Sequence, residues 1–391
     1  MKLKIEDAKA KEVLEKLINA VINLESEREL SLFLDKLLSY ARDIVGASAG
    51  SLYLIDAEAK VLQIEVCQND EIDINSFFET TLTKKSGIPL SNKSIAGYAA
   101  ISGEVVHVPD VTHINEKLPY SFSSKIDKDS GFVSKSILSV PIRHPAEGVI
   151  GVLELFNPPT GTFESWNIGI LRNFAVLAAV TLSNIRLYDS LKSSYLETIS
   201  KLGVASEFKD GDTYNHIHRI GYMTRIIAHH MGLSLEEQDI LFHASSMHDI
   251  GKIGIPDSIL KKGDELSEEE WVIMQQHPEM GAKMLGDTDS EILQVSEKIA
   301  LCHHERWDGS GYPKGLAGDQ IPKSAQIVAI ADVFDALVHQ RVYKPAWKVQ
   351  EALDYIKSKR GEYFSPQVVD AFFKGVEEIL AVQKKFGELH Y

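Results

Sequence analysis

A chain of 391 residues with 44% apolar and 25% charged content is long enough for two or three domains with ordinary cores. Its formal charge of -15 argues against a general binder of polymeric nucleic acid or of anionic membrane surfaces, although a metal and a few bases can reverse the field locally for a small anion. The distant cysteines Cys67 and Cys302 imply no disulfide framework, the first residues are too mixed in charge for a signal peptide, and no long apolar run suggests a membrane span, so a cytoplasmic protein is expected.

Residues 6–24 read as a helix, with Leu14, Leu17, Val21 and Leu24 at spacings of three and four. It suits either docking on its own domain or a dimer coiled coil. Glu29–Val45 is a second amphipathic helix. Ala49–Asp56 and Val61–Cys67 alternate like a hairpin around the turn Asp56–Lys60. Residues 68–94 are polar and loop-like. Ser94–Gly103 suggests a short helix, Glu104–Val111 a strand, and Leu118–Gly131 a loop. Ser136–His144 and Gly148–Pro158 form a second hairpin, and a long helix begins near Trp166. This order predicts an antiparallel sheet with helices packed on one face.

The helix from Trp166 to about Lys209 carries Ile168, Leu171, Ala175, Ala178, Leu182 and Ile185 in a coiled-coil seam. The register then shifts to Tyr188, Leu191, Tyr195, Ile199 and Leu202, a local change of winding that a sensor could bias. The first half can equally pack on the preceding sheet, and a parallel homodimer is compatible with both. From residue 200 onward the patterns are helical.

The first half, with Gly151–Phe163 leading into a helix, resembles a GAF domain, a small-molecule sensor module. Asn92-Lys93 matches the start of the signature of cyclic-nucleotide-binding members, but Phe122 followed by Ile126-Asp127 leaves it incomplete, so the GAF ligand is unknown. Cys67, His107 and His113 are scattered and read as surface or core residues rather than cofactor ligands.

The chemistry concentrates in the second half. His248-Asp249 sits in an apolar run, with Lys252 three residues past the aspartate. A buried charge without a partner costs several kcal/mol, and a metal ion accepts an imidazole and a carboxylate together. Further candidates are His216, His277, the pair His303-His304, and Asp332. This set exceeds the four ligands of one zinc and argues for two or three ions. Imidazole and carboxylate without thiolate suit iron or manganese at least as well as zinc; iron is the first expectation and manganese the second. His218, His229, His230, His243 and His339 read as structural, Cys302 as a packed side chain, and Glu207 and Asp210 as charge partners of Lys209 or Arg219.

The strings His248–Pro256, His303–Pro313, Ala331–Leu337 and Arg341–Lys344 resemble an HD-GYP domain. The resemblance implies a metal-dependent phosphodiesterase that opens cyclic di-GMP, with His216, His248, Asp249, His277, His303, His304 and Asp332 as metal ligands and Asp249 bridging. It places Lys252 near the scissile phosphate, Arg341 and Lys344 on substrate phosphates, and Tyr312 in the substrate pocket. Asp212, one helical turn before His216, stands where three-metal members carry glutamate, with a reach shorter by about 1.5 Å. It is assigned as a ligand of a third ion; a plain helix-terminal carboxylate is the other reading. Val342 replaces a proline frequent in the family.

The implied organisation is multidomain: an N-terminal helix (1–26), an α+β GAF sensor domain (27–165), a connecting signalling helix (166–200) and an all-α HD-GYP domain (201–391). The implied reaction is in-line attack on phosphorus by hydroxide from a metal-bridging water, giving pGpG and, after a second cut, GMP. The alternatives are a cyclic di-GMP receptor with little activity and an HD hydrolase of another cyclic dinucleotide. A homodimer through the helices flanking the GAF domain is expected.

Overall fold

The structure is a computed structural model that describes residues 15–24, 27, 29–73, 87–210, 214–339 and 346–387. It divides into two compact units between Leu191 and Lys192.

The first unit holds helix α1 (residues 15–24), α2 (Leu30–Val45), β1 (Ala49–Asp56), β2 (Val61–Asn69), β3 (Ile88–Pro89), α3 (Ile95–Ser102), β4 (Val106–Val108), α4 (Lys125–Ser130), β5 (Ile137–His144), β6 (Gly148–Phe156) and the start of α5 (Ser165–Asp210). The strands form one antiparallel sheet in the order β3-β2-β1-β6-β5-β4. Strand periodicity sends alternate residues to opposite faces. Leu52 and Leu54 of β1 therefore join Leu153 and Leu155 of β6 in the core that α2 and α5 cover, while Tyr53 and Val152 face the other way. The Asp56 carboxylate closes the β1–β2 turn by accepting the N–H groups of Glu58 (3.0 Å) and Ala59 (2.8 Å).

Helices cover both faces of the sheet, not one. Helix α3 is apolar all round, and Ile95, Ala96, Ala99 and Ala100 pack with Tyr53, Ile137 and Val152 in a second core. Two short elements also go beyond the sequence expectation. Strand β3 pairs Ile88 and Pro89 with β2 inside the stretch read as loop, and α4 forms within Leu118–Gly131. Both are too short to show periodicity.

Helix α5 is continuous through residue 210. By length and composition it is apolar enough to cross a membrane, which differs from the reading of no apolar span. Its apolar face is spent on a core instead: Leu171, Ala175, Ala178, Leu182 and Ile185 are buried with α2 and the sheet. The first half of the heptad seam thus packs within the chain.

The second unit contains α6 (Tyr214–His230), α7 (Leu235–Ala244), α8 (Asp257–Leu260), α9 (Glu268–Met274), α10 (His277–Leu285), α11 (Glu291–Cys302), α12 (Lys323–Val338), α13 (Val349–Ser358), α14 (Pro366–Lys374) and α15 (Val376–Phe386). Among the described residues it has no strand beyond isolated bridges. Its main core joins Ile220, Met223 and Ile227 of α6 to Ile327, Ile330 and Phe334 of α12 and Phe372 of α14. A smaller cluster joins Ile199 near the end of α5 to Met247, Ile250, Leu285 and Ala300. That cluster seats two 3₁₀ turns, Ser245–Met247 and Ile250–Gly254, which flank His248-Asp249.

Candidate metal centre

The short 3₁₀ turns place His248 and Asp249 inward, where neither is more than 6% exposed. Tight winding here depends on Gly251: a Cβ on it would lie 1.9 Å from the His277 carbonyl oxygen. The second turn is thereby pressed against α10, which carries His277.

Each buried imidazole is oriented through its Nδ1. His248 Nδ1 meets the Ser245 carbonyl at 2.9 Å, His277 Nδ1 the Met274 carbonyl at 2.8 Å, and His303 Nδ1 the Ala300 carbonyl at 3.0 Å. With Nδ1–H donating to a carbonyl, Nε2 carries the lone pair, the arrangement that presents a ring nitrogen to a metal. The Nε2 atoms of His248, His277 and His303 are buried without a hydrogen-bond partner among the described residues, as is Asp249 Oδ1. His216 is held by Asp335, whose Oδ2 lies 2.7 Å from its Nδ1. Asp335 is fixed in turn by Arg219 Nε (2.6 Å) and Nη2 (2.8 Å) and by Gln383 Nε2 (2.9 Å).

The two oxygens of Asp249 face different groups. Oδ1 lies 3.2 Å from His277 Nε2 and 3.3 Å from His303 Nε2, while Oδ2 lies 3.4 Å from His248 Nε2 and 2.6 Å from Lys252 Nζ. Asp332 Oδ1 is 3.8 Å from His216 Nε2 and 4.0 Å from His248 Nε2. Donor atoms gather within 4.8 Å of one another in two groups: Asp249, His277, His303 and His304, and Glu207, His216 and His248. Among the described residues the Glu207 oxygens, Asp249 Oδ1 and the Nε2 atoms of His248, His277 and His303 have no hydrogen-bond partner, which fits divalent cations, and nitrogen and oxygen donors without thiolate suit iron or manganese at least as well as zinc.

The electrostatics favour cation loading. Burial tends to raise the Asp249 carboxyl, but Lys252 and then His248 hold it well below the usual range. Burial keeps His303 below its ordinary value, and burial and His303 do the same for His304. Burial would lower His248 as well, but Asp249 carries it up to about 10, so a cation there displaces a proton.

His304 stacks on Tyr312, with ring centroids 4.8 Å apart. The loop bearing Tyr312 is tied down by the buried Glu305 carboxylate, which accepts the N–H groups of Lys314 (2.7 Å) and Leu316 (3.0 Å). Of the residues singled out in sequence, the structure thus gathers His216, His248, Asp249, Lys252, His277, His303, His304, Tyr312 and Asp332. Asp212, Arg341, Val342 and Lys344 lie outside the described residues. His218, His229, His230, His243 and His339 belong to neither donor group.

Sequence reasoning missed two residues. Glu207 is not a charge partner of Lys209 or Arg219. Lys209 donates to the carbonyls of Ile253 (2.8 Å) and Ile255 (2.6 Å), Arg219 serves Asp335, and Glu207 turns into the second donor group. Asp335 is the other. Its signal was a second carboxylate three residues beyond Asp332 in an otherwise apolar helix, which a buried cation or donor must satisfy.

The first unit has its own cavity, about 560 Å³, lined by Tyr53, Ile64, Phe122, Phe132, Glu154 and Phe156 among others. Lys93 and Asp127, parts of the incomplete signature, also line it. Cys67 lies there too, its thiol pushed up to about 12 by burial, which makes it an unreactive packed side chain.

The GAF domain family matches residues 29–182 and the HD domain family residues 206–368. The chain is 45% identical over 191 residues to the cyclic di-GMP phosphodiesterase response regulator RpfG of Xanthomonas campestris, covering 49% of this chain and 50% of that protein. It is 40% identical over 204 residues to the 3'3'-cGAMP-specific phosphodiesterase 2 of Vibrio cholerae, covering 52% of this chain and 39% of the relative. The chain therefore spans half or less of the length of these two relatives. A cyclic di-GMP phosphodiesterase of Thermotoga maritima is 35% identical over 332 residues, which cover 85% of this chain and 86% of that protein.

Proposed function

The chain belongs to the family of cyclic di-GMP phosphodiesterases that join a GAF domain to an HD domain, and on that premise we propose that it hydrolyses cyclic di-GMP to linear pGpG, with a second cut giving GMP. The observation that carries this reading is the split of the Asp249 carboxylate between two sets of unpartnered imidazole nitrogens, with Lys252 beside it.

His216, His248, Asp249, His277, His303, His304 and Asp332, with Asp212, would hold two or three divalent ions, iron foremost and then manganese. Such ions supply Lewis acidity that acidifies water and draws charge from a phosphate. The chain's own groups do the rest. Asp249 stays ionised, because Lys252 and His248 keep its proton affinity low. The three N–H donors of an ammonium let Lys252 hold Asp249 and a non-bridging phosphate oxygen together. Arg341 and Lys344 hold the substrate phosphates. Tyr312, braced on His304, offers an aromatic face to a guanine base. No covalent nucleophile is required.

We place the protein in the cytoplasm as a homodimer regulated through its GAF domain. Leu187, Tyr188 and Leu191 support the dimer, being 65%, 55% and 70% exposed on α5 past the residues that serve the core. Anaerobic preparation with Fe(II) or Mn(II), metal counting, and chromatography of products from cyclic di-GMP and 3'3'-cGAMP test the function. Release of pGpG supports it. The 40% identity to a cGAMP-specific enzyme favours a mixed ring as the second reading, and preferential cleavage of 3'3'-cGAMP would establish that one instead. Tight cyclic di-GMP binding without product at full metal loading would identify a receptor.

A further inference from the structure

Glu207 is 1% exposed, and neither of its carboxylate oxygens has a hydrogen-bond partner among the described residues. The neighbouring cations are engaged elsewhere. Lys209 is turned to the carbonyls of residues 252, 253 and 255, Arg219 to Asp335 and the Phe386 carbonyl, and Lys252, whose charge also acts on Glu207, pairs with Asp249 at 2.6 Å. A carboxylate in such a position is disfavoured unless a cation shares the cavity.

What does face Glu207 is a pair of imidazoles. One oxygen of Glu207 and one nitrogen each of His216 and His248 lie within 4.8 Å of one another. Both rings engage Nδ1 elsewhere, His216 with Asp335 and His248 with the Ser245 carbonyl, so both present Nε2. His248 Nε2 is itself buried without a hydrogen-bond partner among the described residues. Three convergent donors of this kind, on the last turns of α5, on α6 and between the two 3₁₀ turns, make a cation position distinct from that of His277, His303 and His304, with Asp249 between the two.

We propose that Glu207 is a direct ligand of one divalent cation, held together with His216 and His248. The long helix, and not only the HD motif, then supplies part of the metal centre. The assignment rests on the metal-centre reading above and adds a ligand that the motif does not contain.

The test is a cation count per chain on the full-length protein after anaerobic loading with Mn(II), by elemental analysis and by manganese EPR titration. Glu207→Gln keeps the side chain's shape and should bind one cation fewer, or bind that cation about tenfold or more weakly, while retaining the rest. His277→Ala should lose a different cation and keep the one at Glu207. Glu207→Asp should recover part of the lost affinity. Far-UV circular dichroism equal to the parent's confirms that the Gln variant is folded. A full count at parental affinity in Glu207→Gln overturns the Glu207 assignment alone. So does loss of that cation in Asp212→Asn with retention in Glu207→Gln. A parent chain that binds no cation overturns this assignment and the metal-centre reading together.

Discussion

Replacing Asp335 with alanine should destabilise the second unit more than any exposed substitution. The side chain of Asp335 is 2% exposed and accepts two bonds from Arg219, one from His216 and one from Gln383. Its removal strands a guanidinium that is itself only 5% exposed, and breaking one side of such a buried pair costs about 3–5 kcal/mol. For a unit of this size each kcal/mol moves the midpoint by about 2–4 °C, so the transition should fall by about 6–20 °C. Calorimetry of the metal-free full chain measures it. Arg219→Leu combined with Asp335→Leu should be less destabilised than Asp335→Leu alone, because no charge is then left stranded. The pH dependence follows from two signs. Arg219 and His216 overcome the effect of burial and hold the Asp335 carboxyl below its ordinary range, so its contribution is present above about pH 4 and is lost as pH falls through the folded value. Burial lowers His216 but Asp335 raises it overall, so that part is present below about pH 6.5 and is lost as pH rises through the folded value. The gap between parent and Asp335→Ala should therefore be widest between about pH 4 and 6.5. A midpoint shift under about 3 °C at pH 6 would refute the reasoning.

Other outcomes are expected elsewhere. Asp249→Ala should abolish both metal loading and hydrolysis, and turnover at the parent rate would be incompatible with the assigned centre. Arg341→Ala should raise KM for cyclic di-GMP while elemental analysis finds the metal content unchanged. Gly251→Ala should lower stability by about 1–3 kcal/mol in denaturant titrations and weaken metal binding, since its Cβ would meet the His277 carbonyl at 1.9 Å; parental values for both would contradict that close approach. In the first unit, burial raises the Glu154 carboxyl although Ser139 and Tyr53 donate to it at 2.5 and 3.3 Å. Its contribution to stability is present below about pH 4.3 and is lost as pH rises through the folded value. Glu154→Gln should flatten that loss in thermal melts across pH, and an unchanged slope would count against a buried proton there.

The strands and the metal cluster were legible for the same reason: local sequence conflicts with solvent exposure. Leu52, Tyr53 and Leu54 form a short apolar run before the turn at Asp56, buried on both faces of the sheet, and His248-Asp249 and His303-His304 interrupt apolar runs and so need polar partners. What stayed illegible depends on tertiary placement. Helix α3 has no polar face, so nothing in its sequence says which side of the sheet it covers. The seam of α5 reads alike whether its partner is a second chain or its own sheet. Glu207 was assigned to neighbouring bases because Lys209 is near in sequence. In space Lys209 points at carbonyls, and the nearest functional groups come from residues 216 and 248. Asp335 was read with its motif and not as a buried anchor, because its partners Arg219 and Gln383 are 116 and 48 residues away.

The final turns of α5 meet the metal centre at three successive points. A Cβ on Gly203 would lie 2.3 Å from the Ser246 carbonyl oxygen, Glu207 turns toward His216 and His248, and Lys209 caps the 3₁₀ turn that bears Lys252. Each residue of winding rotates a helix by about 100°. Over- or underwinding by a single residue would swing Glu207 out of the cluster and bring a side chain round to the place that only Gly203 can occupy. The centre is therefore keyed to the angular phase of this helix: a rotation of about 100°, with only about 1.5 Å of travel along the axis, suffices to dismantle it.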